Sequence, residues 1–284
     1  MSIVDELGDR MKIYEGAEAG RKFMPLLPIV ARMDGRGFSR FTKGMDRPYD
    51  KRMSDAMIAT CEHLVRETNA LCGYTQSDEI TLVWFADNLK SQTWFNGRIT
   101  KMISCLAAET TLAFYERISE TMPEYKHRRP RFDARVWQVP NLVEAANTFL
   151  WREWDATKNS IQMAGHHYYS HKQLHKKNGG EIKDMLMEVG VNWNHYPAFF
   201  KRGTFIQRAE VSTPFSVEEL STLPPKHKAH EDPNLIIERS IIRHLDMPPF
   251  NKVTNRKGVI FHGQMPLVTK PEHVTLEQFV EEIK

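Results

Sequence analysis

Gly73-Tyr74-Thr75-Gln76-Ser77-Asp78-Glu79-Ile80-Thr81-Leu82-Val83-Trp84-Phe85 carries strand-forming residues into a polar turn and out again. Ile80, Leu82 and Trp84 alternate with Thr81, Val83 and Phe85, the pattern of a strand covered on both faces, and Gln76 to Glu79 fits a tight hairpin turn. Upstream, Ile29 to Met33 reads as a buried strand that Asp34-Gly35-Arg36-Gly37 brings to an end. Between the two, Met53, Met57, Cys61, Leu64 and Val65 repeat with helical spacing over Asp50 to Thr68. A second helix is expected over Phe95 to Ile118, stopped by Pro123, and a last strand over Arg131 to Val139, ended by Pro140. The order strand, helix, strand, strand, helix, strand is the split βαββαβ arrangement: a four-stranded antiparallel sheet with both helices on one face. Its first and third strands are central neighbours, so Asp34 and Asp78 are expected side by side at one sheet end.

Two carboxylates held that close repel one another unless a cation lies between them, and oxygen ligands select a hard divalent ion such as Mg²⁺. Gly35 and Gly37 permit close backbone approach to phosphates, Ser39 offers a hydroxyl, and the amides of Arg36 to Phe38 can form an anion-binding concavity. Two metal ions bridged by Asp34 and Asp78 would serve phosphoryl transfer, one activating a hydroxyl and the other steadying the leaving group. Taken singly, Asp-Gly and Ser-Asp-Glu are common turn chemistry; meeting in one frame, they point to a site. The glycine spacing matches neither the dinucleotide-binding fingerprint nor the phosphate loop with its Lys-Ser/Thr ending.

A chain of 284 residues can bury a sizeable core, and its net charge of +3 is too mild to announce nucleic acid by itself. Local clustering says more: Lys126-His127-Arg128-Arg129-Pro130-Arg131 and the group Lys172, Lys176 and Lys177 are either solvated basic turns or phosphate contacts. Cys61, Cys72 and Cys105 form no close pair and read as reduced core residues. No apolar stretch is long enough to span a bilayer, and the N-terminus lacks a basic start followed by an apolar block, so a cytoplasmic location is expected.

The chain divides softly near Pro140 into a first region at 1–140, which holds the paired aspartates, and a helical and strand region at 141–284. In the second region helices are expected over Asn141 to Trp154, Asn159 to Lys177 and Glu181 to Val189. Lys201-Arg202-Gly203-Thr204-Phe205-Ile206 follows as a turn into a strand, and residues 212–284 form a proline-richer tail. His167, His171 and His175 would share one helix face, as phosphate contacts, a zinc site or a plain solvated face. Trp151, Trp154, Tyr168 and Tyr169 fit core positions, with stacking on bases as the alternative.

Arg32-Met33-Asp34-Gly35-Arg36-Gly37-Phe38-Ser39-Arg40-Phe41, followed by Arg47-Pro48-Tyr49-Asp50 and the segment from Gly73 to Glu79, resembles the catalytic half of the tRNA-His guanylyltransferase family. The resemblance covers about residues 5 to 140 and thins through Trp151-Arg152 and Asp155 to Lys201-Arg202-Gly203-Thr204. It implies an α+β fold with a polymerase-palm-like split βαββαβ antiparallel sheet, helices on one face, and a helical C-terminal region. It further implies a 3′-to-5′ nucleotidyltransferase that uses GTP and ATP as substrates and two Mg²⁺ ions, acts on the 5′ end of tRNA, and assembles as a tetramer. Carried over by position, Asp34, the carbonyl of Gly35 and Asp78 would hold the metal. Asp34, Gly35, Arg36, Gly37, Phe38, Ser39, Arg47, Ser77 and Asp78 would contact the nucleotide, and Glu79 joins Asp34 and Asp78 as a catalytic carboxylate. Arg47 stands where members often carry lysine, and Thr157-Lys158-Asn159-Ser160 stands where eukaryotic members carry His-Ile-Asn-Asn. The second departure leans toward the relatives that repair tRNA 5′ ends on a template, with guanosine addition to tRNA-His as the sister activity. A palm-type nucleotide cyclase and a non-catalytic RNA-binding module are the alternatives.

Overall fold

A computed structural model describes residues 3–232 and 234–268. The remainder of the 212–284 tail, residues 269–284, lies outside the described residues.

Helix α1 (Ile3–Ala19) leads into β1 (Ile29–Gly35), the short α2 (Phe38–Phe41) and α3 (Lys51–Glu67). Asp50 caps α3, its carboxylate accepting the Arg52 N–H at 3.0 Å, and Met53, Met57, Cys61, Leu64 and Val65 are all buried as their spacing requires. The hairpin β2 (Cys72–Gln76) and β3 (Glu79–Trp84) turns through Ser77, whose φ is 53°. Helix α4 runs over Ile99–Thr121, starting later than expected because Phe95 and Asn96 hold φ of 50° and 52°, which no right-handed helix accommodates. Strand β4 (Phe132–Gln138) closes the first half.

The second half supplies α5 (Leu142–Tyr168), α6 (His171–Leu174), α7 (Gly179–Glu188), α8 (Ala198–Arg202), β5 (Thr204–Pro214), α9 (Val217–Thr222), β6 (Ile236–Leu245) and α10 (Arg256–Phe261). Three expectations need correction here. The helices expected at Asn141 to Trp154 and Asn159 to Lys177 are joined through 155–158 into the single α5, because Ala156, Ser160 and Ile161 continue the buried stripe across the polar stretch. That helix ends at Tyr169, which is extended, and Ser170 with Gln173 caps α6. His167, His171 and His175 therefore do not share a helix face; the His166 and His171 rings stack instead, 5.7 Å apart.

The sheet has six strands, ordered β4-β1-β3-β2-β5-β6, and every pairing is antiparallel. The first four stand in the expected order, and β5 and β6 extend the sheet from β2 across the soft boundary at Pro140. Helices α3 and α4 lie on one face over Ile29, Ala31, Met33, Ile80, Leu82 and Trp84. The opposite face, with Val30, Cys72, Val83 and Phe205, is covered by α5 and α10, so the sheet is not a one-sided layer. A third cluster of Ile161, Ala164, Leu174, Ile182, Leu186, Trp193 and Phe200 binds α7 and α8 to the end of α5. Cys61, Cys72 and Cys105 are free thiols. Among the described residues no helix is long and apolar enough to cross a membrane.

Candidate active site

Asp34 lies opposite Glu79 of β3 on one side and Asp133 of β4 on the other. The side chains alternate along the strands: Met33, Ile80 and Phe132 enter the core against α3 and α4, so Asp34, Glu79 and Asp133 emerge toward α5. Asp78, in the turn before Glu79, is bound to the same strand end, since its carbonyl accepts the Gly35 N–H at 3.1 Å. The chain thus brings Asp34, Gly35, Asp78 and Glu79 together. Burial pushes the half-buried Asp78 carboxyl up to about 6, helped by the charges of Asp34 and Glu79 and opposed by the Ser77 hydroxyl, which donates to it at 3.1 Å.

Glu79 does not stand free. Arg152 of α5, itself buried, pairs with the Glu79 carboxylate and reaches Asp155 at 3.2 Å, while its guanidinium lies 4.7 Å over the Trp151 ring. Burial raises the Glu79 pKa and the Arg152 charge partly offsets that rise. One residue on, buried Glu153 accepts the Phe250 N–H at 2.7 Å and faces Arg202 at 3.4 Å; burial pushes its carboxyl up to about 7. Arg202 is fixed in turn by its own carbonyl, which accepts the Tyr74 hydroxyl at 2.8 Å.

The loop after β1 folds as it does because Gly35 has no Cβ: one would run into the Phe38 ring, which turns back into the aromatic cluster with Phe41, Phe114 and Phe132. Gly37, at φ 64°, makes the left-handed step before α2. This turn sends the loop to two sides. Phe38, Ser39, Arg47, Ser77 and Asp78 line a cavity of about 300 Å³ with Tyr49, Met163 and Phe199. Arg36 and Gly37 face a separate, basic cavity instead.

A divalent ion fits the donors at the sheet end. Asp34 and Glu79 add to the rise that burial imposes on the Asp78 carboxyl, so the three acids feel one another's charge, and Asp133 beside Asp34 has a buried Oδ1 with no hydrogen-bond partner. Arg135 forms long ion pairs with Asp133 at 3.6 Å and Asp34 at 3.9 Å, both beyond hydrogen-bond distance, so one exposed guanidinium is shared between two of the acids. Among the described residues no group of three or more His, Cys, Asp or Glu side chains forms an ion cage. Further ligands must then be main-chain carbonyls, water and nucleotide phosphates, the ligand set Mg²⁺ favours.

Several residues escaped the reading of the sequence. Glu153 and Arg202 form a buried pair that no motif signals, and Asp133 joins the acidic end only through strand register. Trp151 and Trp154, expected in the core, are about half exposed, at 49% and 57%. Tyr168 is also exposed, while the Tyr169 hydroxyl donates to the Met185 carbonyl at 2.5 Å. Lys177 is paired with Glu181 at 2.9 Å.

The tRNAHis guanylyltransferase family profile matches residues 8–140. Among solved structures, a bacterial tRNA(His) guanylyltransferase-like protein in complex with ATP is similar at a TM-score of 0.67 and 38% identity, over 71% of this chain and 88% of that one. A bacterial protein of the same description in complex with GTP is similar at a TM-score of 0.67 and 30% identity, over 90% of this chain and 97% of that one. The tRNA(His) guanylyltransferase of Neurospora crassa is 28% identical over 204 residues, which span 64% of this chain and 68% of that protein.

Proposed function

The chain belongs to the tRNA(His) guanylyltransferase family and is a nucleotidyltransferase, and from that premise we propose that it extends the 5′ end of tRNA in the 3′-to-5′ direction with GTP-derived nucleotides. The observation that carries the proposal is the meeting of Asp34, Gly35 and Asp78 at one end of the sheet, with Asp78 also in the wall of a cavity of about 300 Å³. That cavity has apolar and aromatic side chains for a base, and Ser39, Ser77 and Arg47 as polar contacts for sugar and phosphate.

In this reading the fold is a polymerase-type palm. Asp34, the Gly35 carbonyl and Asp78 would hold two Mg²⁺ ions, which when bound would supply the charge that favours a deprotonated hydroxyl and a departing phosphate. The Gly37 and Phe38 amides are left for the triphosphate, since the Arg36 N–H is taken by the Arg131 carbonyl at 2.8 Å. Glu79, tethered by Arg152, aligns the turn that carries Asp78. The 5′-monophosphate of the RNA attacks the α-phosphorus of ATP and releases pyrophosphate. The 3′-hydroxyl of GTP then attacks the activated 5′-phosphorus, forming a phosphodiester and releasing AMP. An RNA that already bears a 5′-triphosphate loses pyrophosphate in a single step. Residues 1–140 carry this chemistry, and residues 141–284 bind RNA and assemble a cytoplasmic tetramer.

Thr157-Lys158-Asn159-Ser160, in place of the eukaryotic His-Ile-Asn-Asn, favours template-dependent 5′-end repair over obligatory guanosine addition to tRNA-His. The test is incubation of the protein with Mg²⁺, ATP, labelled GTP and 5′-monophosphorylated tRNAs lacking their first nucleotide. Label joined to several truncated tRNAs is expected. Label confined to tRNA-His would leave only the guanosine-adding activity. A cyclic nucleotide without labelled RNA would replace the proposal with a cyclase, and RNA binding alone with a non-catalytic module.

A further inference from the structure

On the side of the β1 loop away from the 300 Å³ pocket, residues 36–43 and 127–131 enclose an open cavity of about 690 Å³. Arg36, Arg40, Lys43, Arg128, Arg129 and Arg131 line it, and no Asp or Glu does. Six permanent cations exceed the +3 net charge of the whole chain, so the rest of the molecule is net negative. Elsewhere surface cations find local partners, as Lys51 does in Asp55 and Arg66 in Glu62. Here like charges are gathered with no carboxylate in the wall, an arrangement that repels itself until an anion arrives.

The walls are tied together rather than loose. The Arg128 guanidinium donates to the carbonyls of Phe41 and Lys43, each at 2.6 Å, and lies 4.6 Å over the Tyr125 ring. The Arg36 N–H donates to the Arg131 carbonyl at 2.8 Å. Arg128 thus holds the shape, and Arg36, Arg40, Lys43, Arg129 and Arg131 are left exposed to a ligand.

We infer that this cavity seats the phosphodiester backbone of the RNA whose 5′ end is extended. The inference rests on the function proposed above and assigns it a phosphate track. A second free nucleotide is a poorer occupant: Phe41, the cavity's one aromatic carbocycle, is buried in the core, and no carboxylate is present to read a base or sugar. The pocket on the other side of the loop has the opposite character, with aromatic and methionine side chains and Asp78. Arg36 follows Asp34 by two positions, so a strand lying in the basic cavity runs directly to the carboxylates. Backbone phosphates are equivalent from sequence to sequence, which makes this contact one of position rather than of base identity.

The test compares K43A/R131A, which removes two exposed charges outside the nucleotide-contacting set, with the charge-preserving K43R/R131K. Binding of a 5′-monophosphorylated tRNA lacking its first nucleotide is measured across a salt series, alongside binding of GTP. K43A/R131A should weaken RNA binding about tenfold at 0.15 M salt and lower the salt slope by about two. Its GTP affinity should stay within about twofold, and K43R/R131K should match the parent in both. Unchanged RNA affinity and slope in a variant with the parent's melting temperature would overturn the inference while leaving the enzymatic reading intact. Parallel loss of GTP affinity would overturn it too, by making the cavity a nucleotide phosphate subsite. A parent protein that binds no RNA would remove both readings at once.

Discussion

Against α3 and α4 the sheet presents Ile29, Ala31, Met33, Ile80, Leu82 and Trp84; one residue along each strand, toward α5, the same strands present Val30, Arg32, Asp34, Glu79, Thr81 and Val83. The first face is sealed by hydrocarbon, with Phe114, Met102 and Leu106 fully buried in its cover. The second is covered by a helix that carries Arg152 and Glu153 inward to meet Glu79 and Arg202. Alternation along a strand lets one backbone serve two purposes, because stability is concentrated where charge is absent and chemistry where charge is tolerated.

That division can be broken most sharply at Asp78. Asp78→Ala should reduce nucleotide transfer about a thousandfold or more, with a melting temperature equal to or above the parent's because a repelling carboxylate is gone. A collapsed fold in this variant would make Asp78 structural and erase the contrast between the faces. On the hydrocarbon face, Phe114→Ala should remove about 3–5 kcal/mol of stability by leaving a cavity, yet leave the KM for GTP unchanged below its melting temperature. Denaturant titration and steady-state kinetics read the two halves of that expectation.

Arg152→Ala should do both kinds of damage. It strands the Glu79 carboxylate beside the site, costing about 3 kcal/mol together with a lowered kcat, and Arg152→Lys should recover only part of each since one ammonium cannot replace the guanidinium fork.

The smallest effect belongs to Glu153. Burial raises its folded-state pKa to about 7, so its contribution to stability is fully present below the ordinary glutamate range and is lost as pH rises toward 7. Glu153→Gln should therefore gain stability relative to the parent between pH 5 and pH 8, by at most about 3 kcal/mol. Urea midpoints at the two pH values measure it, and a difference independent of pH would show that Arg202 keeps Glu153 ionised throughout.

The hydrocarbon face was the legible one. Met53, Met57, Cys61, Leu64 and Val65 announce α3 by spacing alone, and the strands Ile29 to Met33 and Ile80 to Trp84 follow from local pattern. Those elements suffice to place Asp34 beside the turn that holds Asp78. The α5 face was harder to read because its buried stripe includes Arg152, Glu153 and Ser160, polar residues that interrupt the apolar period and made one helix look like two. Strand β6, whose Ile236 to Leu245 mixes charged and apolar residues, gained its place only through pairing with β5, a partner that local sequence does not specify. Arg202 meets Glu153 across a long stretch of chain, and no spacing rule anticipates such a pair.

Cys72, Gly73, Tyr74 and Thr75 hydrogen-bond to β5 as well as to β3. Cutting the chain at residue 140 would strip β5 away and leave a row of unsatisfied peptide groups flanked by Cys72 and Tyr74, a sticky template for another copy. The half that carries Asp34 and Asp78 is therefore not a portable cassette: expressed alone it should sediment as aggregates, and grafted elsewhere it would need a replacement strand before it could remain in solution.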